Sequence, residues 1–339
     1  MSVTISDVAR LANVSKATVS AVMNGRPGIS EKTRKRVLEI ATHLNFRPNQ
    51  IARSLSIRKT HSIGLVIKEI DNPYFSKIMK GVFDTCAEHD FTVLLGSSEL
   101  SPEKEKKSID TLVAQRVDGL ILAPLQGEDV DFSYLSDLVR DCYPLVTLGV
   151  VKNYPTAVVE SKNVEGAFEA VNYLIQEGHK RIAYFSGPSH SSHSEDRAEG
   201  FRRACLENRI SCRSEDVVQT GSYIQDGYEK GKSFFTSQAD CPSAVFCYND
   251  LVAIGLINAL TELGFSVPDD ISVIGFDNID YGAHFRIPLT TVYVPAYEIG
   301  KIAAEMVIEQ ISGQGNTKNR KQILDVELII RDSVSKKEE

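Results

Sequence analysis

The sequence predicts a mixed architecture, an all-α helix-turn-helix head followed by two doubly wound parallel α/β lobes. Three observations carry this. The first sixty residues hold eleven Lys and Arg against three Asp and Glu, a formal +8, while the remainder stands at −15 and the whole chain at −7. From Ser62 onward, short runs that are apolar on both faces alternate with helical runs, the pattern of parallel sheets covered by helices. The length of 339 residues also exceeds one ordinary core, since single cores stop growing at about 250–300 residues. The expected division is a head over 1–45, a hinge and linker over 46–60, and a two-lobed body over 61–339.

In the head, Ser6 is placed to cap a short helix from Asp7 to Asn13, whose Val8, Leu11 and Ala12 share one face. After the Asn13-Val14 turn a second helix opens at Ser15 and runs to Gly25, which stops it. Two short helices joined by a tight turn make a helix-turn-helix. A third helix follows Ser30 and buries Val37, Ile40, Ala41 and Leu44, with Lys32, Arg34, Lys35 and Arg36 outside. The second helix presents Lys16, Ala17, Thr18, Ser20, Ala21 and Asn24, side chains that let a helix approach base edges in a major groove. The same residues would also suit a solvated surface helix. A basic head on an acidic body favours nucleic acid, because Lys and Arg supply the phosphate contacts.

Between Asn45 and Thr60, Pro48 and Asn49 could start one or two helical turns ending near Leu55. Such a helix is marginal in water unless something packs on it. Arg53, Arg58 and Lys59 offer charge to phosphates and Leu55 offers a wedge for a base step. A plain interdomain linker fits the segment equally well.

Composition narrows the class further. With 42% hydrophobic and 24% charged residues the chain reads as an ordinary soluble globular protein. No apolar run reaches the roughly 18 residues of a membrane span, and the first ten residues lack a signal-peptide core, so a cytoplasmic protein with no membrane partner is expected. Cysteines 86, 142, 205, 212, 241 and 247 include no C-x-x-C pair and read as small buried hydrophobes. No P-loop, G-x-G-x-x-G or G-x-S-x-G elbow is present, and no metal spacing, so neither an enzyme nor a cofactor is expected.

The run T-I-S-D-V-A-R-L-A-N-V-S-K-A-T-V-S-A-V-M-N-G from Thr4 to Gly25, followed by F-R-P-N-Q-I-A-R-S-L from Phe46 to Leu55, resembles the bacterial lactose/galactose repressor family. The resemblance continues along nearly the whole chain. It implies a homodimer on a pseudo-palindromic double-stranded operator, with the second helix in the major groove and a DNA-induced hinge helix in the minor groove. Carried over, the specificity positions are Lys16, Ala17 and Ala21, and the hinge wedge is Leu55 with Asn49, Ala52 and Arg53 around it. Ile5, Ser6, Ser15, Thr18, Ser20, Asn24 and Ser30 complete the expected DNA contacts. Ala21 departs from the pattern, since many members carry an arginine there that contacts guanine. A methyl group reaches at best a thymine methyl.

The body's predicted strands are Ile63–Ile67, Thr92–Leu95, Gly119–Leu122, Pro144–Leu148, Arg181–Phe185, Ala244–Cys247 and Ile271–Gly275, with helices near 74–89 and 103–116. Breaks near Ser161-Lys162 and Pro288-Leu289-Thr290-Thr291 suggest a first lobe of about 61–160 plus 290–320 and a second of about 162–288 plus 322–332. This resembles the periplasmic sugar-binding-protein fold, which closes on a ligand between its lobes. Ligands of open α/β sheets sit at the carboxyl ends of strands, so the loops after the strands hold the candidates.

Those candidates are Tyr74, Phe75, His193, Arg197, Tyr223, Asn249 and Asp277. The resemblance implies that the arginine, asparagine and aspartate hydrogen-bond an effector and that the aromatics pack against it. Asn249 and Asp277 also fit plain helix and turn caps, Tyr74 and Phe75 fit lobe core, and Arg197 could pair with Asp196 or Glu199. His190 and His193 look like exposed loop residues. Gly149 and Val294 replace an aspartate and a glutamine found in some sugar-binding members, and Ser222 sits near a usual pocket aromatic.

The expected function is a dimeric DNA-binding regulator, most simply a repressor, whose operator affinity is set by a small-molecule effector such as a sugar or related metabolite. The alternative is a regulator of the same fold that has lost its small-molecule response.

Overall fold

A computed structural model of the chain describes every residue except 1–2, 24, 47–58, 127–129, 131, 190, 238–239, 314–319 and 338–339. The chain divides between Thr60 and His61 into two units.

The head's described residues form α1 (Ile5–Leu11), α2 (Lys16–Met23) and α3 (Glu31–His43). Helix α1 starts two residues earlier than its sequence suggests. The Asp7 carboxylate accepts from the Thr4 backbone N–H at 3.0 Å and from the Thr4 hydroxyl at 2.8 Å, so Thr4, not Ser6, closes the first turn. Those bonds hold the Asp7 carboxyl below the usual carboxylate range. Val8, Ala9, Ala12, Val19, Val22, Val37 and Ala41 fill the core. Leu11 is 54% exposed and Ala9 takes the inward position assigned to it, because α2 packs on the face carrying the two small alanines. Asn13, at φ 49°, makes the sharp turn that brings α2 back. Arg34 is not wholly outside. Its guanidinium donates to the carbonyls of Val22 at 3.5 Å and Arg26 at 2.7 Å, tying the end of α2 to α3.

The body begins with β1 (Ser62–Ile67), α4 (Pro73–Glu88), β2 (Thr92–Ser97), α5 (Pro102–Ala114), β3 (Gly119–Leu122), α6 (Ser133–Arg140), β4 (Leu145–Leu148) and β5 (Ala157–Ser161). The second lobe comprises α7 (Asn163–Gln176), β6 (Ile182–Ser186), α8 (Ser192–Glu207), β7 (Val217–Gln219), α9 (Ile224–Ser237), β8 (Ala244–Cys247), α10 (Asp250–Glu262), β9 (Ser272–Asp277), α11 (Asp280–His284) and β10 (Thr290–Tyr293). The chain then returns with α12 (Ala296–Ser312) and ends on β11 (Lys321–Leu324) and β12 (Glu327–Ile329).

The first sheet runs β11-β5-β4-β3-β1-β2, all parallel, and the second runs β12-β10-β9-β8-β6-β7, parallel except for β12 against β10. Strands β1, β3, β4, β6, β8 and β9 are buried along their whole length, which is why they read as unbroken apolar runs.

Two lobe boundaries differ from the sequence reading, which gave 290–320 to the first lobe. Strand β10 pairs with β9, Thr290 opposite Ile274 and Tyr293 opposite Asp277, so the chain leaves the second sheet after Tyr293 and not at Pro288. Strand β11 pairs with β5 and moves the last crossing beyond Leu324. Thr290 and Thr291 look like linker in sequence, yet both are fully buried. Their hydroxyls are satisfied inside the lobe, Thr290 Oγ1 accepting from Arg331 N–H at 2.9 Å and Thr291 Oγ1 donating to Asp250. The cysteines also divide: Cys86, Cys205 and Cys247 are buried as expected, whereas Cys142 and Cys212 are exposed.

Helix α12 covers β3, β4 and β5 beside α4, and the two helices touch backbone to backbone. A Cβ added at Gly300 would overlap the Ile78 carbonyl oxygen, and one added at Gly81 would overlap that of Tyr297. Neither obstacle can rotate away. Gly300→Val is therefore expected to cost at least about 1–3 kcal/mol by overpacking, read as a drop of several degrees in the calorimetric midpoint. An unchanged midpoint would contradict this helix contact. No helix among the described residues is long and apolar enough to cross a membrane.

Candidate functional site

On the head, Ser15 caps α2. Its Oγ accepts from the Thr18 N–H at 3.0 Å and pairs with Thr18 Oγ1 at 2.9 Å. Ser15, Lys16 and Ala17 are exposed at the amino end of α2, and Thr18, Ser20 and Ala21 are half-buried behind them. Ile5 and Ser6, at the start of α1, are half-buried; Ser30 is exposed and caps α3 by accepting from the Thr33 N–H at 3.3 Å. Arg26, Lys32, Lys35 and Arg36 are exposed on the same unit. Asn24, Asn49, Ala52, Arg53 and Leu55 lie outside the described residues. The head thus offers a helix end carrying short side chains, with uncovered cations on the same small unit. This suits approach to base edges between phosphates.

In the body, the carboxyl ends of β1, β6, β8 and β9 converge on a narrow cavity between the lobes. It is lined by Lys68, Glu69, Asn72, Tyr74 and Phe75 after β1, Leu100 after β2, Pro188, Ser191, His193 and Arg197 after β6, Tyr248 and Asn249 after β8, and Asp277 ending β9. Six of the seven predicted effector residues are brought together here. Tyr223 is not among the lining residues; its hydroxyl donates to Asp71 of the other lobe at 2.9 Å.

Arg197 organises the cleft. It is 2% exposed, donates through Nη2 to Asp277 Oδ1 at 3.1 Å, through Nε to Asn163 Oδ1 at 3.1 Å and through Nη1 to the Tyr248 carbonyl, and stacks 3.7 Å from the centroid of Phe276. Its ion-pair partner is thus eighty residues away in sequence, not the adjacent Asp196 or Glu199. Burial pushes the Asp277 carboxyl up to about 6 despite the opposing pull of Arg197. Asp277 also sits at φ 103°, in the left-handed region that a β-carbon disfavours, a strain of the kind found at functional positions.

Asn249 is a helix cap and a cleft residue at once. Its Oδ1 accepts from the Val252 N–H at 2.8 Å and its Nδ2 donates to the Ser222 carbonyl at 2.9 Å. Asn72 plays the matching part in the first lobe, accepting from the Tyr74 N–H at 3.1 Å and donating to Glu69 at 3.1 Å. With Pro73 opening α4, this cap places Tyr74 and Phe75 edge to face, 5.2 Å between centroids. Both are buried in the apolar cluster as well as lining the cleft, so the core and the pocket readings hold together. His193 is not a loop residue. It lies in the first turn of α8, half-buried, with its ring perpendicular to Tyr74 at 6.4 Å, and burial keeps its imidazole neutral. His190 lies outside the described residues.

Gly149 has φ 106° and faces Ser192 Oγ and His193 Nε2, so no side chain fills that corner. Val294 is buried in the apolar cluster. Ser222 donates to Glu69 across the lobes, and Lys77 crosses likewise to Asp280 at 2.8 Å.

Sequence reasoning missed Lys68, Glu69, Asn163, Ser191 and Tyr248. Lys68 and Glu69 carried a usable signal, two adjacent charges directly after an apolar strand that ends in the cleft. Asn163 and Ser191 carried none, because only the crossing of α7 and α8 sets one beside Arg197, and only the fold sets the other 3.1 Å from the Tyr248 hydroxyl.

Residues 4–49 match the family model described as bacterial regulatory proteins, lacI family, and residues 171–334 match the periplasmic binding protein-like domain. The HTH-type transcriptional repressor PurR of Mannheimia succiniciproducens is 34% identical, covering 98% of this chain and 99% of its own length. That of Vibrio vulnificus is 35% identical, with the same coverage. Among solved structures, the lac repressor dimer bound to operator and the anti-inducer ONPF superposes with TM-score 0.88 at 27% identity, over 99% of this chain and 100% of that one. The transcriptional regulator CelR in complex with cellobiose gives TM-score 0.73 at 27% identity, over 98% and 99%. Head, lobes and sequence agree along the entire length, and the chain belongs to the lacI family of bacterial regulatory proteins, whose members are regulators and not enzymes.

Proposed function

We propose that this chain is a cytoplasmic, homodimeric repressor that binds a pseudo-palindromic operator through α2 and is controlled by a small-molecule effector held between its lobes. The observation that carries the reading is the pairing of a basic helix-turn-helix head with a cleft that brings together buried Arg197 of α8, Asn249 after β8 and Asp277 at the end of β9. Effector bonds made only in one arrangement of the lobes shift the population competent for DNA, and the coupling is reciprocal. Lys16, Ala17 and Ala21 read bases, with Ser15, Thr18, Ser20, Asn24, Ile5, Ser6 and Ser30 contributing to the same surface. The remaining DNA contacts are assigned to Asn49, Ala52, Arg53 and Leu55, which lie outside the described residues. The PurR relatives support a repressor, and the CelR–cellobiose structure supports control by a small molecule.

Binding-site selection with the purified full chain tests the reading. An inverted-repeat consensus is expected, with affinity falling steeply as salt rises. Ala21→Arg is expected to change the preferred base pair at one symmetric position toward guanine, a discrimination of about 1–3 kcal/mol. The same consensus for both proteins would remove α2 from the major groove, and no consensus at all would end the proposal. Operator affinity that no metabolite alters would leave a repressor without small-molecule control.

A further inference from the structure

The cleft contains one charged side chain with no direct bond to another described residue. Lys68 follows β1, is 5% exposed and lines the cavity, yet its ammonium makes no ion pair or hydrogen bond among the described residues. The two carboxylates that act on it are engaged elsewhere. Glu69 accepts from Asn72 at 3.1 Å and from Ser222, and Glu105 accepts from the Leu125 N–H at 2.8 Å and from the Tyr134 hydroxyl. Arg197, reaching in from the other lobe, repels Lys68, and burial pulls the lysine down to about 8, so it remains charged at neutral pH. Lys68 therefore faces the cavity with two carboxylates attracting it and a direct bond to neither, which leaves its ammonium open to an anion in the cavity.

A second vacant group lies close by in the fold. Ser98 Oγ is the one buried side-chain oxygen or nitrogen among the described residues without a partner, and the Ser98 N–H bonds the carbonyl of Ile67, the neighbour of Lys68.

We propose that the effector is a small organic acid, and that Lys68 receives its carboxylate or phosphate while Arg197 and His193 bound the same space from the second lobe. The inference rests on the cleft being the effector site. It adds that the ligand is an anion, which links a lysine of one lobe to residues of the other and so rewards their closure. The competing account is that Lys68 merely offsets Glu69 and Glu105, in which case its charge has no bearing on ligand choice.

Thermal unfolding of the full chain separates the two. The probes are gluconate, glucuronate and galacturonate for the carboxylate arm, glucose 6-phosphate and ribose 5-phosphate for the phosphate arm, and glucose, galactose and ribose as neutral parents. At least one acid is expected to raise the midpoint while its parent does not. Lys68→Gln is expected to weaken that acid at least tenfold, and Lys68→Arg to retain part of the affinity. The responding arm identifies the acid group. Parents that stabilise as well as their acids, or an acid indifferent to Lys68→Gln, would overturn the anionic effector and leave the cleft as an effector site. Silence from every probe would overturn both. If Lys68→Gln fails to fold, the comparison of each acid with its parent decides alone.

Discussion

Replacing Arg197 with methionine is expected to lower the unfolding free energy of the body by about 3–5 kcal/mol, the usual cost of removing one member of a buried ion pair. The guanidinium is 2% exposed and bonded to Asp277, Asn163 and the Tyr248 carbonyl, so truncation strands three buried acceptors at once. Methionine fills comparable volume against Phe276 but supplies no donor. Much of the penalty comes from the orphaned Asp277 carboxylate. Arg197→Met combined with Asp277→Asn is therefore expected to recover a substantial part of the loss, a coupling that urea unfolding of the four proteins in a double-mutant cycle measures. Additive losses would show that the two residues do not act as a pair. The same experiment bears on the cleft, since Arg197 ties α8 to the ends of β8 and β9, from which Asn249 and Asp277 project.

A second large effect should appear in the pH dependence of stability. Asp250 is completely buried and its carboxyl is pushed up by burial, and further by the neighbouring Asp277, to about 8, far above the usual carboxylate range. Its bonds from the Ile279 N–H at 2.8 Å and the Thr291 hydroxyl pull the other way and are outweighed. Because the folded pKa lies above the unfolded one, the native state holds a proton that the unfolded chain has released throughout that window. Stability must then fall as pH rises from about 4 toward 8. Asp250→Asn removes the titration with little change of shape. The amide oxygen takes the place of Asp250 Oδ2 in accepting from the Ile279 N–H, and the amide nitrogen takes that of Oδ1 and donates to Thr291 Oγ1. Between pH 5 and 8 the wild type is expected to lose at least about 1.4 kcal/mol relative to this variant, the equivalent of one pKa unit, measured by urea unfolding at a series of pH values. Asp277, raised to about 6, adds a smaller loss of the same sign in both proteins. Parallel profiles for the two proteins would mean that Asp250 is ionised in the native state at neutral pH.

The legible parts of this protein were those set by short-range periodicity. The head could be read because caps, turn residues and helical spacing all act within a few residues, and the strands because burial on both faces leaves continuous apolar runs. Even there, Leu11 and Ala9 exchanged roles, since either residue completes a helical stripe with Val8 and Ala12 and only the position of α2 chooses between them. The effector candidates were partly legible for a topological reason, as loops after parallel strands must meet at one edge.

What the chain's own order of residues determined is the local grammar: a basic three-helix head, alternating strands and helices, and a set of polar residues at strand ends. Tertiary structure alone decided that Thr290–Tyr293 completes the second sheet, that Arg197 answers to Asp277 and not to its neighbours, and that Lys68 lines the cleft without a direct ion pair among the described residues. The reason is range. Hydrophobic periodicity acts over one or two turns, whereas the partner of a buried charge is chosen by whichever distant segment packing delivers to it.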